Sequence, residues 1–314
     1  MQRLPLNPFG LSLSKPSTFL QDACPLTNYT DGYWWSPDGL RLHYRDYAGG
    51  ADGRPPLLCL PGLTRNARDF EPLAQRLAGD WHLICPDMRG RAESAQAKDP
   101  MTYVPLTYLQ DISRLLADLA ITRFVAIGTS LGGLITMLIA TTHREWLAGA
   151  LLNDVGPTLE QAGLDRLRSY VGVGQSHYSW VQAARALEEA NRDIYPGYGL
   201  EQWLAMAKRL YRLNSGGRIV LDYDMRIAEP LRVAGGEAGV DMWPVMAAFR
   251  GIPTLILRGE HSDILSAATA ERMAAEIGPD ASLVTVPHVG HAPVLDEPEA
   301  AAAIDRLLAR VLHG

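Results

Sequence analysis

Six short segments of this chain are dominated by consecutive apolar residues: 57–60, 81–85, 124–127, 150–152, 254–257 and 283–286. A strand with one face in water alternates apolar and polar residues, so runs without alternation suit parallel strands covered on both faces. Helical patterns lie between them. Leu109, Ile112, Leu115, Leu116 and Leu119 share one helical face. A last helix places Ile304, Leu307, Leu308, Val311 and Leu312 on one stripe, with Glu297 and Glu299 at its start and Arg306, Arg310 and His313 toward its end. Those charges complement the helix dipole. Strand and helix in alternation predict an α/β fold with a doubly wound, mostly parallel sheet.

With 314 residues, 47% of them hydrophobic, the chain can bury a core the size of one domain plus an insertion. Residues 1–31, with a Pro-, Ser- and Leu-rich stretch from Pro5 to Pro25, read as a loosely attached N-terminal arm. Strands at 33–35 and 41–47 flank the turn Ser36-Pro37-Asp38-Gly39. The core is expected over 32–155 and 250–314. Between them, at 156–249, helical segments follow one another with little strand signal. Aromatics gather there: Tyr170, Tyr178, Trp180, Tyr195, Tyr198, Trp203, Tyr211, Tyr223 and Trp243. An insertion this long needs its own fold, and a helical cap over the sheet is expected.

The 29 basic and 35 acidic residues give a formal net charge of −6, which argues against a nucleic-acid partner. No apolar run reaches the roughly 18 residues of a membrane span, and no export signal is legible near Met1. Cys24, Cys59 and Cys85 form no CxxC pair and two of them fall inside strand runs, so core thiols in a reducing, cytoplasmic setting are expected. The chain has no HExxH, no phosphate-binding GxxxxGK[ST] and no dinucleotide fingerprint, so neither a metal nor a nucleotide cofactor is implied.

The sharpest motif is Gly128-Thr129-Ser130-Leu131-Gly132-Gly133, directly after the run 124–127 and before the apolar helix beginning at Leu134. So tight a strand-to-helix turn strains the serine backbone and crowds the residues two before and two after it, both glycine here. The hydroxyl stands above the sheet, where the next helix points its first N–H groups. A serine hydroxyl needs a base, and the base needs an orienting group. Asp263 follows the run 254–257, and His291 follows the run 283–286. The order Ser130, Asp263, His291, each past a strand end, is the expected layout of a catalytic triad. Asp154 also sits just past a strand; Asp263 is preferred on spacing and context. His288 is read as a rim residue.

At these residues the chain resembles the α/β-hydrolase family in its capped, serine esterase-like branch, from about Gly32 onward. The resemblance rests on residues 128–133, Asp263, and His291-Ala292-Pro293 followed by Asp296-Glu297-Pro298. Leu60-Pro61-Gly62-Leu63-Thr64 is similar to the family's oxyanion loop, with Pro61 where a histidine is frequent. The resemblance implies that backbone N–H groups of Leu63 and Leu131 hold the oxyanion, and that Asp87 and Arg89 are structural. Ser130 in place of an aspartate argues against epoxide hydrolases and dehalogenases. The expectation is a cofactor-independent serine hydrolase of a small to medium carboxylic ester, apolar or aromatic in character, with a homo-oligomer left open. Lactone cleavage, carbon–carbon bond hydrolysis of ring-fission products, and a slow-turnover small-molecule receptor stay open beside it.

Overall fold

The computed structural model describes residues 29–51, 53–233 and 241–313. Most of the expected arm, with Cys24, lies outside the described residues. The chain enters through β1 (Thr30–Trp35) and β2 (Arg41–Tyr47), an antiparallel hairpin. Its turn closes where Gly39, at φ +80°, donates its N–H to the Ser36 carbonyl and Leu40 donates to Ser36 Oγ. That left-handed conformation is the one glycine adopts without strain. The order continues β3 (Leu57–Leu60), α1 (Glu71–Leu77), β4 (Leu83–Asp87), α2 (Pro105–Asp118), β5 (Phe124–Thr129), α3 (Leu131–Thr142) and β6 (Leu147–Asn153).

An insertion follows, made of α4 (Gln161–Tyr170), β7 (Ser176–His177), α5 (Trp180–Asn191), α6 (Leu200–Leu210), β8 (Tyr211–Leu213), β9 (Ile219–Leu221) and α7 (Glu229–Arg232). The chain then returns to the core through a 3₁₀ segment (Trp243–Phe249) and ends with β10 (Thr254–Gly259), α8 (Ala267–Ile277), β11 (Ala281–Val286) and α9 (Pro298–His313).

Eight strands form one sheet in the order β1-β2-β4-β3-β5-β6-β10-β11. The hairpin joins antiparallel through β2 and β4; the remaining neighbours are parallel. The continuous apolar runs are explained by burial on both faces. Along β5, Phe124 and Ala126 belong to one core layer, with α2 and α3, while Val125 and Ile127 belong to the opposite layer, with α1 and α9. In α9, Ile304, Leu307 and Leu308 are buried as expected, but Leu312 is 41% exposed in the last turn.

The insertion is mostly helical, as expected of the cap, and it carries in addition a small sheet. β7, β9 and β8 form a separate three-stranded antiparallel sheet. Strands of two and three residues are too short to establish a period of two in sequence.

After β3 the chain crosses to β4 on one side, and β5 then lies on the other side of β3. Loops leaving the C-terminal ends of β3 and β5 diverge at this switch point, where open α/β sheets form their ligand crevice. A buried polar hub supports the rim. Asp87 accepts the Ala67 N–H at 2.7 Å and pairs with His43 Nδ1 at 2.7 Å, and His43 Nε2 meets Asp31 at 2.9 Å. Arg89 grips Asp111 and Asp38 through two hydrogen bonds each. Both residues act in the scaffold.

Burial disfavours a charged His43, but Asp87 and Asp31 outweigh that penalty and hold its pKa above the ordinary 6.5. A group whose folded pKa is raised stabilises fully below its unfolded pKa, and that contribution is lost as pH rises through the folded value. The thermal midpoint should therefore fall as pH rises above 6.5. In His43→Asn the slope in that window should flatten, as followed by circular dichroism.

Candidate active site

The turn between β5 and α3 holds Ser130 at φ 51° and ψ −113°, outside the regions an L-residue ordinarily occupies. Its neighbours explain how the strain is maintained. A Cβ on Gly128 would come within 2.5 Å of the Gly132 carbonyl oxygen, and a Cβ on Gly132 would land on the Leu60 carbonyl oxygen. The turn is thus pressed against β3, and the Ser130 N–H donates to the Asn153 carbonyl at the end of β6 (3.0 Å).

His291 Nε2 lies 3.0 Å from Ser130 Oγ, and His291 Nδ1 lies 2.8 Å from Asp154 Oδ2. Asp154 follows the last residue of β6 and is completely buried. Besides the imidazole, it accepts the Gly259 N–H at 2.8 Å on Oδ1 and the Ser262 hydroxyl at 2.6 Å on Oδ2. Three donors compensate a carboxylate that burial alone would penalise.

The expectation that Asp263 meets the imidazole is corrected: the carboxylate on His291 Nδ1 is that of Asp154. Asp263 turns away into a two-toothed ion pair with Arg166 of α4, with Nε–Oδ2 at 2.5 Å and Nη2–Oδ1 at 2.8 Å. Burial pushes the Asp263 carboxyl up, but the Arg166 guanidinium outweighs it and keeps the pKa below the usual carboxylate value. Both aspartates sit past strand ends. What separates them is tertiary: Gly259 and Ser262 aim their donors at Asp154, while a cap arginine claims Asp263. His288 is exposed on the rim, its N–H donating to Glu260 at 2.8 Å.

Leu63 and Leu131 flank the serine. Among the described residues no acceptor in the chain takes either N–H, which leaves both free for a ligand. The Leu63 carbonyl is clamped by Arg91, through Nε at 2.9 Å and Nη2 at 2.7 Å. Arg91 is completely buried and also donates to the Arg89 carbonyl and the Tyr108 hydroxyl. Sequence reasoning missed it, because nothing in the 87–91 segment marks which arginine turns toward the loop.

The histidine loop is secured from two sides. Asn153 Nδ2 donates to the Pro293 carbonyl at 2.8 Å, and the Tyr195 hydroxyl, from the cap, donates to the Ala292 carbonyl at 2.8 Å. Ser130 and His291 open into a cavity of about 340 Å³ between sheet and cap, which Tyr170, Tyr195, Tyr211 and Tyr223 help to line. Other cap aromatics serve elsewhere. Trp203 is buried in the cap, Tyr178 is 78% exposed, and Trp243 packs against Arg272.

The sequence matches the profile of the Alpha/beta hydrolase family over residues 57–304. The 3-hydroxybutyrate-oligomer hydrolase of Cupriavidus necator is 34% identical over 273 residues, spanning 84% of this chain and 91% of that protein. The 2-(acetamidomethylene)succinate hydrolase of Mesorhizobium japonicum is 27% identical over 254 residues, spanning 80% and 85%. The crystal structure of an alpha/beta hydrolase from Novosphingobium aromaticivorans DSM 12444 is 59% identical, with a TM-score of 0.86 over 90% of this chain and 98% of that one. The chain belongs to the α/β-hydrolase family, and it is an enzyme of the esterase-like hydrolase kind.

The two aspartates are separable by kinetics. Asp154→Asn should lower kcat by about 10³- to 10⁴-fold, because the imidazole loses its orienting anion. Asp263→Asn should cost far less. Ester hydrolysis by both variants, with circular dichroism to confirm folding, checks the order.

Proposed function

We propose that this enzyme hydrolyses small to medium carboxylic esters through an acyl-enzyme formed on Ser130. Ser130 Oγ attacks the ester carbonyl while His291 Nε2 takes its proton, and the imidazolium then protonates the departing alcohol. Asp154 fixes the Nδ1–H tautomer and stabilises the charged ring. The N–H groups of Leu63 and Leu131 receive the developing oxyanion, with Arg91 holding the Leu63 loop in place. Water activated by His291 clears the acyl group and restores the serine.

The observation that carries this reading is the continuous hydrogen-bond line from Ser130 Oγ through both nitrogens of His291 to buried Asp154. The two curated relatives described above bear hydrolase names, one of them for oligomers of a hydroxy acid, which favours an ester whose parts are short. Two free, buried thiols, Cys59 and Cys85, support a reducing compartment such as the cytoplasm. Among the described residues no helix is long and apolar enough to cross a membrane.

A fluorophosphonate probe should label wild-type protein at Ser130 and leave Ser130→Ala unlabelled. Turnover of 4-nitrophenyl acetate should fall by about 10⁴-fold or more in that variant. Retained turnover with an intact fold would overturn the assignment.

A further inference from the structure

The cavity that holds Ser130 is lined by three arginines, Arg65, Arg166 and Arg209, and by one carboxylate, Asp69. Arg166 has a carboxylate of its own in Asp263. Arg65 and Arg209 share Asp69. Arg65 takes both of its oxygens, with Nε–Oδ2 at 2.5 Å and Nη2–Oδ1 at 2.7 Å. Arg209 Nε is left 3.8 Å from Oδ1, beyond hydrogen-bonding distance. No other acceptor among the described residues takes an Arg209 guanidinium proton.

Arg209 is nonetheless well placed. Its side chain is only 12% exposed, and its unpartnered nitrogens are not sealed from solvent. Its backbone is fixed near the end of α6, where its carbonyl accepts Asn66 Nδ2 at 2.9 Å and Arg68 Nε at 3.0 Å from the core. A guanidinium stays charged at any working pH and is costly to bury without a partner. The pair is also close to the chemistry. A Cβ on Gly62 would sit 3.3 Å from Arg65 Cγ and 3.7 Å from Ser130 Cβ, and Tyr195, bonded beside His291, lies within electrostatic reach of both guanidinium groups.

We infer that the cavity selects esters that carry a free carboxylate, and that Arg209, with Arg65 beside it, holds that carboxylate. The inference rests on the ester-hydrolase reading above. The ligand anion takes the position that Asp69 cannot fill, and the planar fork of Arg209 suits a carboxylate. The tyrosines of the cavity wall pack against the apolar remainder of the substrate.

Two matched pairs test this, each replacing a methyl group by a carboxylate: ethyl pentanoate with monoethyl glutarate for the acyl side, and 2-butyl acetate with 3-acetoxybutanoate for the alcohol side. Acid release is followed by pH-stat on wild type, Arg209→Gln and Arg209→Lys. Wild type should prefer the acidic member of at least one pair by about 10- to 100-fold in kcat/KM. Arg209→Gln should remove most of that preference, chiefly through KM for the acidic ester, and Arg209→Lys should keep part of it. No preference in either pair would overturn the inference, as would an Arg209→Gln variant that slows both members in parallel or keeps the preference intact. A fluorophosphonate label on Ser130 without such preference removes this inference alone. Absence of both labelling and turnover removes the hydrolase reading with it.

Discussion

The turn between β5 and α3 is folded so tightly on itself that Gly128 has no room for a methyl group, and it is pressed so hard against β3 that Gly132 has none either. This close approach forces Ser130 to a positive φ, stands its hydroxyl above the sheet, and brings the free N–H of Leu131 beside the loop that carries Leu63. The same serine donates its own N–H to the end of β6, one residue before Asp154. The proposed nucleophile, oxyanion donors and acid thus all depend on three neighbouring strand ends held in one register. The energy for such strain comes from the two core layers that clamp the sheet.

Much of this is legible in the sequence, and the reasons are physical. Strands buried on both faces announce themselves as apolar runs, and a glycine pair bracketing a serine after such a run admits few backbone solutions. Ser130 follows from that, and His291 from its place after the run 283–286 and from the resemblance of the segment around it. The acid does not. Asp154 and Asp263 occupy equivalent places along the chain, and only the tertiary arrangement tells them apart. The donors of Gly259 and Ser262 converge on the first, while Arg166 takes the second. Arg91 is hidden for the same reason: its task is set by a carbonyl 28 residues earlier in the chain.

The insertion shows a further limit. Its aromatics mark it as a cap, but two- and three-residue strands leave no pattern, and the charges that shape the cavity are scattered over a core loop, α4 and α6. Arg65, Asp69 and Arg209 look like ordinary surface charges until the fold assembles them. Once assembled, one carboxylate faces two guanidinium groups, and this imbalance gives the cavity a polarity that tyrosines alone would not. The Arg166–Asp263 pair joins the cap to the core, so the aspartate that does not reach His291 still has a structural task.

The orientation of His291 by Asp154 can be observed directly. A proton shared between imidazole Nδ1 and a buried carboxylate resonates far downfield in the proton NMR spectrum, apart from the amides. Wild-type protein should show this resonance, Asp263→Ala should keep it, and Asp154→Ala should lose it while the rest of the spectrum stays dispersed. Survival of the resonance in Asp154→Ala, or its loss in a folded Asp263→Ala, would mean that another group orients His291.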